Sequence, residues 1–198
     1  AGAATLDACD HDYDKIRSQG ADLIVASIHY GILSSDVEEG RVRLSRALLN
    51  AGVDVVIGHS PHIPQALMAM DGKLALFSLG NFVFRPDYRM RPLAYTSIVA
   101  RIEFFKDRID VRIHPIMIDD LGIPHTDSGN GTIARIAQAS EEFGTSLKID
   151  GNVGRLSISR STSVTLTKLI SSQMFCPLEP SWSVSCIAVS SREMRIHY

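Results

Sequence analysis

The chain has 198 residues, of which 45% are hydrophobic and 21% are charged, which is the composition of an ordinary globular domain. A formal net charge of −2 argues against the broad basic surface of proteins that bind nucleic acid or anionic membranes. The spacing of Cys9, Cys176 and Cys186 argues against a disulfide framework or a zinc finger. No apolar run has the length of a transmembrane helix.

A strand–helix–strand unit is predicted near the start of the chain. Residues 22–28 form an almost continuous apolar run, which is typical of a strand buried on both faces. Ser35 and Glu38 have the spacing of a capping box, and an apolar stripe of helical period then continues to a stop at 50–52. A second buried strand is predicted at 53–57. This order predicts two parallel strands joined right-handedly.

The remainder is predicted to be mainly antiparallel. The pattern predicts hairpins over 65–79 about Asp71-Gly72 and over 96–118, a loop over 123–131, a helix over 133–143 and a short hairpin over 147–158. From Ser159 onward neither the strand nor the helix period persists, so we divide the chain into a domain at 1–158 and a tail of uncertain structure at 159–198. The predicted fold class is α/β (α+β), with mixed sheets flanked by helices.

Both strands of the first unit end in a histidine. His29 follows the first strand, and the run Gly58-His59-Ser60-Pro61-His62 follows the second. Ligands bind at the carboxyl edge of open α/β sheets, so these imidazoles are expected to converge there. Gly58 is expected to permit a sharp turn and Pro61 to stiffen it. A lone strand-end histidine is more often structural, but three in phase favour a site for Zn, Mn or Fe.

Asn81 is a second candidate, because it follows Gly80 at the end of the 65–79 hairpin. Its amide can orient a ligand oxygen or support a ligating histidine, and it can equally be a turn residue that tolerates positive φ. His114 is interpreted as structural, His125 has no partner at a recognisable spacing, and Asp119-Asp120 is interpreted as a solvated turn. The sequence has no P-loop, GxGxxG or Ser-His-Asp pattern.

Three segments in order resemble the capsule and poly-γ-glutamate biosynthesis (CapA-type) family, whose fold is similar to that of calcineurin-like metallophosphoesterases. They are residues 21–31, 51–65 and 77–84, and the likeness extends from about residue 10 to residue 158. The resemblance implies the C-terminal half of a metallophosphoesterase-like sandwich. The acidic and Asn-His ligands of the family's first half have no counterpart here, so the expected metal site is incomplete, and part of the protein is expected to precede Ala1.

The resemblance also implies a role for each matching residue. His29, His59 and His62 would hold divalent metal ions, His59 and His62 would be catalytic, and Asn81 would line the pocket. The implied reaction is metal-dependent hydrolysis of a phosphoester or a related bond. Three positions depart from the family pattern: Tyr30 replaces a tryptophan, Leu33 a glutamate and Ser60 a histidine.

The alternatives are a non-catalytic accessory subunit of an envelope-polymer synthesis complex and a metal-independent module that binds sugars or peptides. The implied partners are an anionic polymer or phosphoester substrate and the subunits of a polymer synthase, and no nucleic acid is expected. The implied location is the cell envelope or the cytoplasm of a bacterium.

Overall fold

The computed structural model describes residues 13–84, 91–160, 183–189 and 195–197, the last two segments as backbone only. The helices are α1 (Tyr13–Ser18), α2 (Glu39–Asn50) and α3 (Gly131–Glu141). The strands are β1 (Leu23–His29), β2 (Val55–His59), β3 (Leu67–Met70), β4 (Lys73–Leu76), β5 (Thr96–Phe104), β6 (Arg108–Ile118), β7 (Pro124–Thr126), β8 (Lys148–Asp150), β9 (Val153–Ser159), β10 (Ser183–Val189) and β11 (Arg195–His197). One mixed sheet and one antiparallel sheet, with flanking helices, confirm the predicted α+β class.

The first sheet has the strand order β10-β1-β2-β4-β3. Strands β1, β2 and β4 are parallel, and β10 and β3 pair antiparallel with their neighbours. The predicted adjacency of the two parallel strands around α2 is therefore confirmed. In the predicted Asp-Gly turn, Asp71 and Gly72 have φ of 51° and 76°, the positive values that tight hairpin turns favour.

The second sheet has the order β11-β5-β6-β9-β8, and β7 pairs with the end of β6. The predicted hairpins of 96–118 and 147–158 are confirmed. The prediction of a continuous loop at 123–131 is wrong, because Pro124–Thr126 forms β7 against Ile116–Ile118. Three residues are too few for an alternating pattern to be recognised in the sequence.

Two apolar clusters explain why the β1 and β2 runs are almost continuous. On one face of the first sheet, Ile24 and Val56 pack against Leu44 and Leu48 of α2. On the opposite face, a second cluster joins the two sheets and includes Ile133 of α3. Strands covered on both faces lose the alternation of polar and apolar residues.

Helix α3 and the turn that follows it protect an edge of the first sheet. The backbone N–H groups of Leu67 and Ala69 in β3 donate to the hydroxyls of Ser140 and Thr145, at 2.9 and 2.8 Å. These two donors would otherwise be unpaired on an edge strand. The helix itself begins and ends two residues before its predicted limits of 133–143.

The predicted capping box of α2 is wrong. The helix begins at Glu39, and its N-cap residue Glu38 makes no side-chain capping bond. The Ser35 hydroxyl donates to Asp36, and the Glu38 carboxylate accepts the N–H of Ile32 instead. The Ser-x-x-Glu spacing therefore belongs to the loop before the helix.

Two parts of the predicted tail join the sheets. Strand β10 pairs with β1, and β11 pairs with β5. Residues 161–182 lie outside the described residues, as do Cys9 and Cys176, and of Cys186 only the backbone is described. No helix in the described parts of the chain is both long and apolar enough to cross a membrane.

Candidate functional site

The histidines at the ends of β1 and β2 lie side by side. The two strands run parallel, and their register pairs His29 with His59. Residues paired in this way project from the same face of a sheet. The N–H of Tyr30 also donates to the His59 carbonyl at 3.4 Å, which holds the two strand exits together. We call the edge formed by His29, His59 and His62 the histidine edge.

The turn after β2 depends on two residues with positive φ. Ser60 and His62 have φ of 95° and 59°, which is an uncommon backbone conformation for residues other than glycine. Such conformations cost about 1–3 kcal/mol each and persist only where surrounding contacts impose them. One such contact is the hydrogen bond from the Ser60 hydroxyl to the Gly31 carbonyl, at 2.8 Å. This bond ties the turn to the residues that follow β1.

Gly58 has a different role from the one predicted. It lies inside β2 rather than in the turn. A β-carbon at this position would lie 1.9 Å from the Phe77 carbonyl oxygen and 2.7 Å from Nη1 of Arg41. The absence of a side chain therefore allows the residues after β4 and the guanidinium of Arg41 to approach β2 closely.

His62 is oriented by Asn81. The ring Nδ1 lies 2.7 Å from Asn81 Oδ1, and Asn81 Nδ2 donates to the Ala94 carbonyl at 3.0 Å. The second bond fixes the amide orientation, so the oxygen faces the imidazole and accepts its Nδ1 proton. Nε2 of His62 then keeps its lone pair. The ring also packs against Phe84, with centroids 5.7 Å apart.

The two interpretations of Asn81 are therefore distinguished by its contacts. The positive φ of this turn belongs to Gly80, at 83°, and not to Asn81. Asn81 is only 6% exposed, and its amide bonds to a histidine and to a backbone carbonyl. It is a residue that positions His62.

His59 has the protonation state that a metal ligand needs. Burial, the neighbouring His29 and the Arg41 guanidinium together lower the pKa of His59 below its ordinary value. The imidazole is consequently neutral at pH 7 and has a free lone pair. Neutral imidazole suits zinc, iron and related transition metals.

Arg41 is a buried residue beside the histidine edge that the sequence patterns did not single out. It is fully buried, and its guanidinium donates to the Phe77 carbonyl at 2.5 Å and to the His59 carbonyl at 3.1 Å. It also lies 5.2 Å from the centre of the Tyr30 ring. Burial lowers the pKa of Arg41 to about 10, while Glu38 and Tyr30 oppose the change. The side chain of Arg41 thus contacts residues at the ends of β1, β2 and β4 and holds these three strand ends together.

A signal for Arg41 was present in the sequence. Arg41 precedes Leu44 and Leu48 by three and seven residues, so it falls on the apolar stripe of α2. A cation on the buried face of an amphipathic helix needs acceptors in the core. The sequence alone does not identify those acceptors, which here are carbonyl groups at the strand ends.

The structure brings the predicted ligands together only in part. His29 and His59 are adjacent by register, whereas His62 is held by Asn81. Among residues 13–84 and 91–160, no three His, Cys, Asp or Glu side chains are grouped so that they could hold a metal ion. The chemistry of the imidazoles and the tautomer of His62 therefore suit a transition metal, and the described donor set is smaller than a closed site requires.

The remaining candidates lie in other surroundings. His125 Nε2 is 2.8 Å from Asp119, whose other oxygen accepts the N–H groups of Leu121 and Ile123. Asp119 is thus the partner of His125 that the sequence spacing did not reveal. Their loop is joined to the segment beside His62 by a bond from the Phe84 N–H to the Gly122 carbonyl, at 3.3 Å.

Part of the chain is similar in sequence to known proteins. Residues 2–86 match the family model described as bacterial capsule synthesis protein PGA_cap. The PGA biosynthesis protein CapA of Bacillus subtilis (strain 168) is 37% identical over 65 residues, which are 32% of this chain and 17% of that protein. The capsule biosynthesis protein CapA of Bacillus anthracis is 37% identical over 69 residues, which are 34% of this chain and 17% of that protein. Residues 2–86, which contain the histidine edge, are thus similar to the family of bacterial capsule synthesis proteins, and the chain spans less than a fifth of the length of the two relatives.

Proposed function

We propose that this chain acts in the synthesis or handling of an anionic envelope polymer of the poly-γ-glutamate class, as a component of a metal-dependent hydrolase for phosphoesters or related bonds. The observation that carries the proposal is the pairing of His29 with His59 at the ends of two parallel strands, beside a His62 whose tautomer is set by Asn81. Sequence similarity to capsule biosynthesis proteins supports the proposed class of polymer. It also favours an envelope-associated role in a bacterium.

The residues of the histidine edge have distinct tasks in this proposal. His29, His59 and His62 would donate imidazole nitrogens to divalent metal ions, with His59 or His62 also contacting the leaving oxygen. Such ions supply Lewis acidity and a hydroxide nucleophile at neutral pH. Asn81 keeps the Nδ1 proton of His62 engaged so that Nε2 faces the ligand. Arg41 holds the His59 carbonyl, and with it the start of the turn.

The double substitution His59→Ala/His62→Ala is expected to abolish stoichiometric binding of a transition metal. Calorimetric titration of the chain with Zn²⁺ and Mn²⁺, followed by elemental analysis, measures the effect. His114→Ala is the matched control, because His114 lies on β6 in the other sheet. If the double variant keeps the metal stoichiometry of the unmodified chain, the histidine edge is not the metal site.

Asn81→Ala is expected to weaken metal binding about 10–100-fold, since the loss of a residue that orients a ligating histidine has effects of this size. The fold should persist, because one buried hydrogen bond contributes only about 1 kcal/mol. Asn152→Ala is the control, as it also removes a bond to a backbone carbonyl, that of Asp127 at 2.7 Å. Equal metal affinity in the two variants would contradict the role given to Asn81.

A second candidate function is that of a non-catalytic accessory subunit. It is favoured by the lack of a three-ligand group among the described residues and by Leu33, which stands where the family resemblance implies a glutamate. Assays of a chromogenic phosphodiester with added Zn²⁺ or Mn²⁺ separate the two functions. Hydrolysis that disappears in His59→Ala/His62→Ala supports the hydrolase, and metal binding without any hydrolysis supports the accessory subunit.

A further inference from the structure

Four cationic side chains form one row across the second sheet. The strand registers pair Arg101 with Arg112, Arg112 with Arg155, and Arg155 with Lys148. The row therefore crosses β5, β6, β9 and β8 in succession. Neighbouring strands lie about 4.8 Å apart, so the row, which crosses three such spacings, is about 14 Å long. We call these four residues the cationic row.

The cationic row lies on the face of the sheet that points away from the core. Its members alternate along the strands with the buried residues Ile102, Val111 and Ile113. Arg155 and Lys148 are exposed, and Arg101 and Arg112 are partly exposed. All four positions can therefore reach a ligand at the surface.

The positive charges are only partly balanced by carboxylates. Glu103 lies 3.0 Å from Arg101 and 3.8 Å from Arg112, and Asp150 lies 2.9 Å from Arg155. Within the described residues no carboxylate pairs with Lys148. Like charges directly opposite each other on neighbouring strands destabilise a sheet, so stability does not explain such a row.

One further observation is consistent with a positive potential at this face. His114 follows Arg112 by two residues on β6, and burial together with Arg112, Arg155 and Arg101 lowers its pKa. The face has this character although the chain as a whole has a net charge of −2. A groove of about 380 Å³ lies beside the row and is lined in part by Arg112, Lys148, Arg155 and Ser157. The carboxylate of Asp110 also lines it and is paired with Arg108 at 3.1 Å.

We propose that the cationic row is a binding site for a linear polycarboxylate, which lies across the strands with successive carboxylates on successive cations. The proposal rests on the proposed role in polymer synthesis and adds a place on this chain where the polymer is held. Guanidinium groups match carboxylates in planar, two-point geometry, so a row with three arginines suits this ligand.

The chemistry of the face favours a polycarboxylate over a nucleic acid. Proteins that bind single-stranded nucleic acid combine cations with aromatic side chains on which the bases stack. The cationic row and the groove lining contain no aromatic residue. Charge complementarity without stacking is what a polymer of repeated carboxylates requires.

Fluorescence anisotropy of labelled poly-γ-glutamate with the full chain tests the proposal. We expect Arg112→Gln/Arg155→Gln to weaken binding at low salt by about ten-fold or more, since each removed residue ends a charge-assisted contact. Arg43→Gln/Arg46→Gln is the control with the same change in charge, on the exposed face of α2. We expect this control to change the affinity less than two-fold.

Three results would overturn the proposal. The first is that the unmodified chain does not bind the polymer at low salt. The second is an equal loss of polymer affinity in the two double variants, and the third is equal or tighter binding of an oligonucleotide with the same number of charges.

The metal titration keeps this test separate from the proposed hydrolase. Because the row and the histidine edge lie on different sheets, Arg112→Gln/Arg155→Gln should bind metal normally. Polymer binding that depends on the row, without any metal binding, would reject the hydrolase alone.

Discussion

Replacing Gly58 by alanine should destabilise the protein by about 3 kcal/mol or more, at or above the upper end of the usual range for overpacked cores. The new methyl group would lie 1.9 Å from the Phe77 carbonyl oxygen, and 2.7 Å from both the Phe77 carbonyl carbon and Nη1 of Arg41. Two of these three atoms belong to the backbone, so a change of side-chain rotamer cannot relieve the contact. The sheet would have to separate between β2 and the residues that follow β4.

Denaturant unfolding followed by circular dichroism measures this effect. Gly131→Ala is the matched control, because a β-carbon at that position meets nothing within 4 Å. As Gly131 lies in helix α3, alanine there should be neutral or stabilise by up to about 1 kcal/mol. A Gly58→Ala variant within 1 kcal/mol of the unmodified chain would show that β2 and Phe77 are not packed as described.

Replacing Arg41 by methionine is expected to destabilise the protein by about 2–3 kcal/mol. The change leaves the Phe77 carbonyl without its donor, and an unsatisfied buried acceptor costs about 1–3 kcal/mol. It also leaves space beside Tyr30 and Gly58. Removal of a buried charge offsets part of this loss, which is why the expected value is moderate.

Arg41→Met should also lower the metal affinity of the histidine edge, beyond what the loss of folding stability explains. Among the described residues, the N–H of Tyr30 would remain as the donor to the His59 carbonyl, so the turn that presents His59 and His62 would loosen. We expect metal affinity to fall even at temperatures where the variant is fully folded. Arg41→Lys should restore it only in part, since one ammonium group cannot reproduce the planar fork of donors.

Arg43→Met provides the control on the same helix. Arg43 is 60% exposed and pairs with Glu39 on the surface, so its loss should change stability by less than about 0.5 kcal/mol. If Arg41→Met lowers stability but leaves metal affinity as high as in Arg43→Met, Arg41 supports the fold and does not position the site.

Local sequence patterns predicted the elements that leave a recognisable signal in contiguous residues. The Asp71-Gly72 turn was recognisable because two adjacent residues determine its backbone. The apolar runs of β1 and β2 were recognisable because burial on both faces removes polar residues from the whole strand. The short strand β7 and the strands β10 and β11 lacked such patterns, and pairing with β6, β1 and β5 places them in the sheets.

The sequence by itself determined that two buried parallel strands end in histidines at one edge of a sheet, because strand order and apolar content are properties of contiguous residues. Only the tertiary structure decided that His29 pairs with His59, that Asn81 holds His62 and that Arg41 fastens the strand ends. It also decided that Arg101, Arg112, Arg155 and Lys148 form one row. These contacts join residues that are far apart in the chain, and a shift of register by one residue would turn the side chains to opposite faces.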